Sequence, residues 1–168
     1  MGRESATAAR RLARSLVRLG VRHAFCVVGN QVNSIVRALA DERIEVVACR
    51  HEGTAAQMAE AYARTSGVPG VCVVIPGPGV SNALTGLLEA HTACSPVLLL
   101  TVRQPTRERE PEFSRLFHGL DHLAAAAPFT GYAGSVRSTA QLAEELDRAF
   151  RRLLAPRPRP VFLEFEMS

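Results

Sequence analysis

Glu52 is the residue in this sequence best placed to do proton chemistry. It stands in Arg50-His51-Glu52-Gly53, directly after a largely apolar run over residues 45–49. Directly behind it lies a stretch rich in small residues, Ala55, Ala56, Ala59 and Ala63. A carboxylate at a strand-to-helix junction faces the crevice there and can exchange a proton with a bound ligand. The plainer alternative is an acid at a helix N-terminus, favoured by the helix dipole. A second segment, Pro76-Gly77-Pro78-Gly79-Val80-Ser81-Asn82, brings main-chain amides to a helix start, where they can meet a phosphate or a flat ring at close range. By itself such a turn is equally a simple strand-to-helix connection. Gly29-Asn30-Gln31 forms a third segment of the same kind. His51, beside a strand end, is read as locally hydrogen-bonded. No GxGxxG follows the first strand and no GxxxxGK[ST] occurs anywhere, so nucleotide sites of those kinds find little support.

The elements that must position these residues alternate regularly. Apolar runs at 24–28, 45–49, 71–75, 97–102, 129–133 and 161–165 predict six strands. Continuous apolar runs, as opposed to polar alternation, describe strands buried on both faces of a parallel sheet. Between them, helical spacing predicts helices over 4–19, 54–65, 80–92 and 139–154, with another through Val32, Ile35, Val36 and Leu39. The stretch 103–127 breaks the rhythm with a charged, proline-containing loop and a helical segment through Phe113, Leu116, Phe117 and Leu120. A loop of that length suits a site or an interface. Strands alternating with helices predict an α/β fold: a doubly wound, six-stranded, mainly parallel sheet with helices on both faces, formed by residues 1–168 as one domain. Ligands of such sheets bind outside the carboxyl ends of the strands, which is where all three segments fall.

The bulk properties narrow the partners. The 168 residues carry 20 Lys+Arg, every one an arginine, against 16 Asp+Glu, for a net charge of only +4. Scattered charge of this kind argues against a nucleic-acid partner. No apolar run approaches the roughly 20 residues of a membrane span, and the arginine-rich N-terminus reads as an amphipathic helix, so no membrane partner and a cytoplasmic location are expected. Cys26, Cys49, Cys72 and Cys94 are too far apart for a CxxC pair and read as small buried hydrophobes. The cluster Arg151, Arg152, Arg157 and Arg159 reads as a solvated helix end and a proline-stiffened turn. Arg103, Arg107 and Arg109 read as a solvated loop that is also able to meet a second anionic group on a substrate.

Taken together these residues resemble a family over nearly the whole chain: the pyrimidine-binding domain of thiamine diphosphate enzymes, as in acetolactate synthase, benzoylformate decarboxylase and sulfopyruvate decarboxylase. The resemblance rests on Gly20-Val21-Arg22-His23-Ala24-Phe25 leading to Gly29, and on Arg50-His51-Glu52-Gly53-Thr54-Ala55-Ala56 through Ala61-Tyr62-Ala63-Arg64. It continues in Gly77-Pro78-Gly79-Val80-Ser81-Asn82-Ala83, in Ser95-Pro96-Val97-Leu98 with Thr101, and in Arg159-Pro160-Val161-Phe162-Leu163-Glu164. It implies that Glu52 is catalytic, hydrogen-bonding a ring nitrogen of the cofactor's aminopyrimidine and promoting its imino form. Gly77, Pro78, Gly79 and Asn82 would then shape the pyrimidine pocket, with Gly29 near the reacting end.

Departures from the family pattern carry their own implications. Asn30 takes a position that often touches substrate, where its carboxamide suits a carboxylate. His118 stands where a glutamine near the active site is usual, which makes it a catalytic acid/base candidate or else a surface histidine. No Gly-Asp-Gly motif followed by an Asn is present, so the Mg²⁺ and the diphosphate are expected to be held by a separate diphosphate-binding subunit. The expectation is therefore one subunit of a split thiamine diphosphate-dependent decarboxylase acting on a small 2-oxo acid, in a heteromer of two-plus-two form. The alternatives are a carboligase subunit of the acetolactate synthase kind, a non-catalytic binding or regulatory paralogue, a piece of a longer enzyme and, least supported, a Rossmann-like nucleotide binder.

Overall fold

A computed structural model describes residues 3–103 and 117–166. Six strands form one sheet: β1 (His23–Cys26), β2 (Glu45–Ala48), β3 (Gly70–Val73), β4 (Val97–Arg103), β5 (Tyr132–Val136) and β6 (Val161–Glu166). Their order is β2-β1-β3-β4-β6-β5, and every pairing is parallel, with registers such as Cys26↔Val73, Leu99↔Phe162 and Ser135↔Glu164. The helices are α1 (Arg3–Arg18), α2 (Asn33–Asp41), α3 (Glu52–Ser66), α4 (Pro78–Ala93), α5 (His122–Ala126) and α6 (Leu142–Leu153). The doubly wound sheet expected from the apolar runs is thus present, and it is parallel throughout.

The two faces of the sheet carry separate cores, because strand side chains alternate between them. One core joins α1, α2 and α6 to Ala24, Cys26, Val71, Val73, Leu98, Leu100 and Leu163. The other joins α3, α4 and α5 to Phe25, Cys72, Leu99 and Phe162. Helix α6 shows why such segments fold onto the sheet: Leu142, Leu146, Ala149 and Leu153 recur at helical spacing and all are buried. Burying each large apolar side chain of this kind contributes about 1.5–3 kcal/mol. Helix ends follow local rules. α3 stops at Gly67, in the left-handed conformation at φ 74°, and α4 starts with Pro78 in its first turn, where a missing N–H costs nothing.

Three expectations need correction. The fifth strand lies at 132–136, later than the apolar run suggested, because Pro128 has no N–H for a ladder and instead enters a short 3-10 turn, Ala127–Phe129. Ladder pairing resumes beyond it, where the Gly131 N–H donates to the Pro160 carbonyl at 2.8 Å. The helix expected through Phe113, Leu116, Phe117 and Leu120 lies partly outside the described residues, and Phe117 and His118 form a turn. A short helix, α5, begins only at His122, capped by Asp121, whose carboxylate accepts from the Ala124 N–H at 3.0 Å. All four cysteines are free, but only Cys26 and Cys72 are buried, while Cys49 and Cys94 are half-buried. Among the described residues no helix is long and apolar enough to cross a membrane.

Candidate functional site

The carboxyl ends of β1, β2 and β3 meet the starts of α2, α3 and α4, and this is where the expected site residues gather. Glu52 is the first residue of α3 and is only 8% exposed. His51 caps the same helix, its Nδ1 accepting from the Gly53 N–H at 3.1 Å, so this histidine has the local structural role expected of it. The buried carboxylate is held from one side: Asn82 Nδ2, on α4, donates to Glu52 Oε2 at 3.0 Å. The other oxygen, Oε1, faces Gly79, where an added Cβ would stand 3.6 Å from it. Two helices rich in small side chains permit this approach, with Ala55, Ala56 and Ala59 of α3 and Ala83 and Gly86 of α4 buried between them.

The Pro76–Gly79 turn is shaped as tightly as the sequence suggested. Gly77 adopts φ 69° and ψ −109°, a conformation that requires glycine. On its Cα side, an added Cβ would strike the Phe117 carbonyl and come within 2.8 Å of His118 Cα. The segment expected to carry His118 therefore lies directly against the turn, with His118 half-buried there. Gly29 has extended backbone that any residue adopts; its requirement is space, since a Cβ would collide with Ile75 Cγ2. Asn30 is exposed at the start of the short 3-10 turn Asn30–Val32, at the same end of the sheet. Pro78, Gly79 and Asn82 all lie within the first two turns of α4.

Behind the turn stands a group of residues that the sequence did not bring together, and of which it gave His122 and Glu164 no functional role. The Gly77 N–H donates to His122 Nε2 at 2.9 Å, and His122 Nδ1 lies 3.0 Å from Glu164 Oε2. Arg103 NH1 donates to Glu164 Oε1 at 2.7 Å and to the Ser135 hydroxyl at 3.3 Å. His122 is 4% exposed and Glu164 2%. Arg103 is therefore an interior partner of Glu164 and does not belong to the solvated loop expected for it; Arg107 and Arg109 lie outside the described residues. One signal was available in the sequence: Glu164 places a charge in the apolar run 161–165, and a buried charge demands partners.

At the strand ends of this parallel α/β domain, a buried carboxylate is thus held by a neighbouring side chain beside a tight glycine turn. The sequence model described as "Thiamine pyrophosphate enzyme, N-terminal TPP binding domain" matches residues 6–126. The chain belongs to this family. It is 37% identical over 150 residues to an acetolactate synthase of Bacillus subtilis, covering 89% of this chain and 26% of that protein. It is 35% identical over 162 residues to a probable 2-ketoarginine decarboxylase of Pseudomonas aeruginosa, covering 96% of this chain and 29% of that protein. It is also 32% identical over 149 residues to a 2-hydroxyacyl-CoA lyase 2 of Danio rerio, covering 89% of this chain and 24% of that protein. The chain thus spans under a third of the length of these relatives.

The residues present fit the aminopyrimidine half of thiamine diphosphate. Among the described residues the buried Glu52 carboxylate has one oxygen bonded by Asn82 and the other turned toward Gly79, an arrangement able to offer an acceptor to a ring nitrogen. No group of three or more His, Cys, Asp or Glu side chains able to hold a metal occurs among the described residues.

Proposed function

We propose that this chain is the pyrimidine-binding subunit of a split, cytoplasmic thiamine diphosphate-dependent enzyme that decarboxylates a small 2-oxo acid. The observation that carries the reading is Glu52: an acid that is 8% exposed, fixed by Asn82 through one oxygen and turned toward Gly79 with the other. Thiamine diphosphate, when bound, supplies a nucleophilic thiazolium carbon and a sink for the electrons released as carbon dioxide leaves. Glu52 holds a proton against the ring nitrogen of the aminopyrimidine, in surroundings that keep water from competing for it. Asn82 fixes which oxygen does so. Asn30, exposed at the crevice mouth, is assigned to the substrate carboxylate, and His118, against the Gly77 turn, to proton transfer at the substrate end.

A separate diphosphate-binding subunit supplies the Mg²⁺ in this reading. Support comes from the surface, because Val28 beside the crevice, Met58 on α3, Leu88 on α4 and Phe117 over the turn are all exposed large apolar side chains that a partner would cover. The acetolactate synthase relatives favour a second reading, in which the same subunit serves a carboligase. The choice between the two then depends on pocket residues of the partner.

Calorimetric titration of thiamine diphosphate with Mg²⁺ tests the proposal, using the chain alone and with its candidate partner, as wild type and as Glu52→Gln. The expected result is tight binding only with the partner, and 2-oxo acid turnover that Glu52→Gln abolishes. Turnover that survives the substitution refutes the catalytic assignment. Failure of any partner to restore binding refutes the split-enzyme reading. Product analysis separates aldehyde from a ligated hydroxyketone.

A further inference from the structure

Gly77 is buried, and as the residue before α4 its N–H has no partner within the helix. A buried orphan donor would cost about 1–3 kcal/mol, and here the partner is His122 Nε2, at 2.9 Å. The main-chain N–H is a donor only. Nε2 must therefore present its lone pair, and the ring's proton must sit on Nδ1, where it points at Glu164 Oε2, 3.0 Å away. Arg103, bonded to the other oxygen at 2.7 Å, balances the carboxylate's charge, so that no second proton on the ring is needed to do so. The four groups come from β4, β6, the start of α5 and the β3–α4 turn. Phe162, with its ring centroid 6.4 Å from that of His122, packs the imidazole. None of the three side chains belongs to the crevice, yet their chain of contacts ends on the turn whose next glycine faces Glu52.

We propose that His122 is a positioning residue for the cofactor site: as a neutral, Nδ1-protonated imidazole oriented by Glu164 and Arg103, it accepts the Gly77 N–H and thereby fixes the Gly77-Pro78-Gly79 turn against Glu52. The proposal rests on the reading of the crevice as an aminopyrimidine site. The arrangement is directional. With the ring turned over a C–H would face the Gly77 N–H, and with a proton on Nε2 an N–H would; in either case the turn would have to move. Glutamine at 122 can bring an acceptor to about the same reach as Nε2, whereas leucine fills similar space with none.

The first test needs no variant: nitrogen spectra of the full chain labelled at histidine and glycine. We expect His122 protonated at Nδ1 alone, and a through-bond nitrogen–nitrogen coupling between Gly77 N and His122 Nε2. The opposite tautomer, or no coupling, overturns the proposal. Next, His122→Leu is expected to speed exchange of the Gly77 amide by about tenfold, with His122→Gln within about threefold of wild type. Affinity for thiamine diphosphate with Mg²⁺, measured with the diphosphate-binding partner, is expected to fall in the same order. Glu52→Gln should weaken the cofactor while leaving Gly77 exchange unchanged. Equal losses in the Gln and Leu variants would mean that His122 only fills space, and would also overturn the proposal. Should the wild type take no cofactor with any partner while the tautomer is as stated, the proposed function fails and the His122–Gly77 contact stands. An inverted tautomer with intact cofactor binding sinks the positioning role alone.

Discussion

Gly86→Ala puts the packing that aligns Glu52 with Asn82 to a quantitative test. Gly86 lies in the middle of α4, opposite Ala56 of α3, and an added Cβ would stand 2.5 Å from Ala56 Cβ and 3.1 Å from both Ala56 C and Gln57 N. Carbon atoms in contact prefer about 3.5–4.0 Å, so α4 would have to retreat by about 1 Å. In an isolated helix the same change would stabilise by about 1 kcal/mol, because alanine loses less backbone freedom than glycine. Overpacking a close interface costs about 1–3 kcal/mol. The two effects oppose each other, and the net expectation is a loss of about 1 kcal/mol. Asn82 sits one turn before Gly86, with its Nδ2 3.0 Å from Glu52 Oε2. A retreat of about 1 Å takes that contact beyond hydrogen-bonding distance. Urea unfolding of Gly86→Ala, Ala56→Gly and the double variant measures the effect. Removing the opposing methyl should make the double variant more stable than the sum of the singles by about 1 kcal/mol. A Gly86→Ala protein more stable than wild type, or strict additivity, would refute the idea that this contact sets the helix separation.

Other outcomes follow from single contacts. Glu60, 2% exposed, accepts from the Ser95 hydroxyl at 2.7 Å and from Arg64 NH2 at 3.4 Å. Ser95→Ala removes a buried donor to this carboxylate and should cost about 1.5–3 kcal/mol by urea unfolding; a change under about 0.5 kcal/mol would show that water replaces the hydroxyl. Cys94 is the cysteine expected to react first. Arg157 and then Arg159 donate to its sulfur and lower its pKa, whereas burial pushes the Cys26 thiol up to about 11 and holds that of Cys72 well above the usual thiol value. Since the thiolate is the nucleophile, lowering the pKa enlarges the reactive fraction near neutral pH. Iodoacetamide at about pH 7.5 should therefore label Cys94 before Cys26 or Cys72, and Arg157→Ala should slow it. Mass spectrometry that finds Cys26 labelled first would contradict this electrostatic account.

The sequence alone determined most of the frame. The apolar run 97–102 read as a strand covered on both faces and residues 139–154 as a helix, and they form β4 and α6. It also marked the crevice, since Glu52, Gly77, Gly79 and Asn82 all follow strand ends, and every parallel strand delivers its carboxyl end to the same side. Local patterns of that kind depend on neighbours along the chain, and so they can be read from it. What only the tertiary structure decided depends on contacts between residues far apart in sequence. Asn82 meets Glu52 across the packed pair α3 and α4, so which oxygen is held follows from helix separation and not from either motif. His122, Glu164 and Arg103 carry no shared spacing; they become one chain because β4 and β6 are neighbours and α5 folds back over Gly77. Arg103 looked like part of a solvated loop because its neighbours in sequence are charged, yet the pairing of its strand with Glu166 draws it beside Glu164 and leaves its side chain 12% exposed. The exchange of a hydrated charge for a buried, paired one is a property of the assembled sheet, and the residues flanking Arg103 in the sequence hold no record of it.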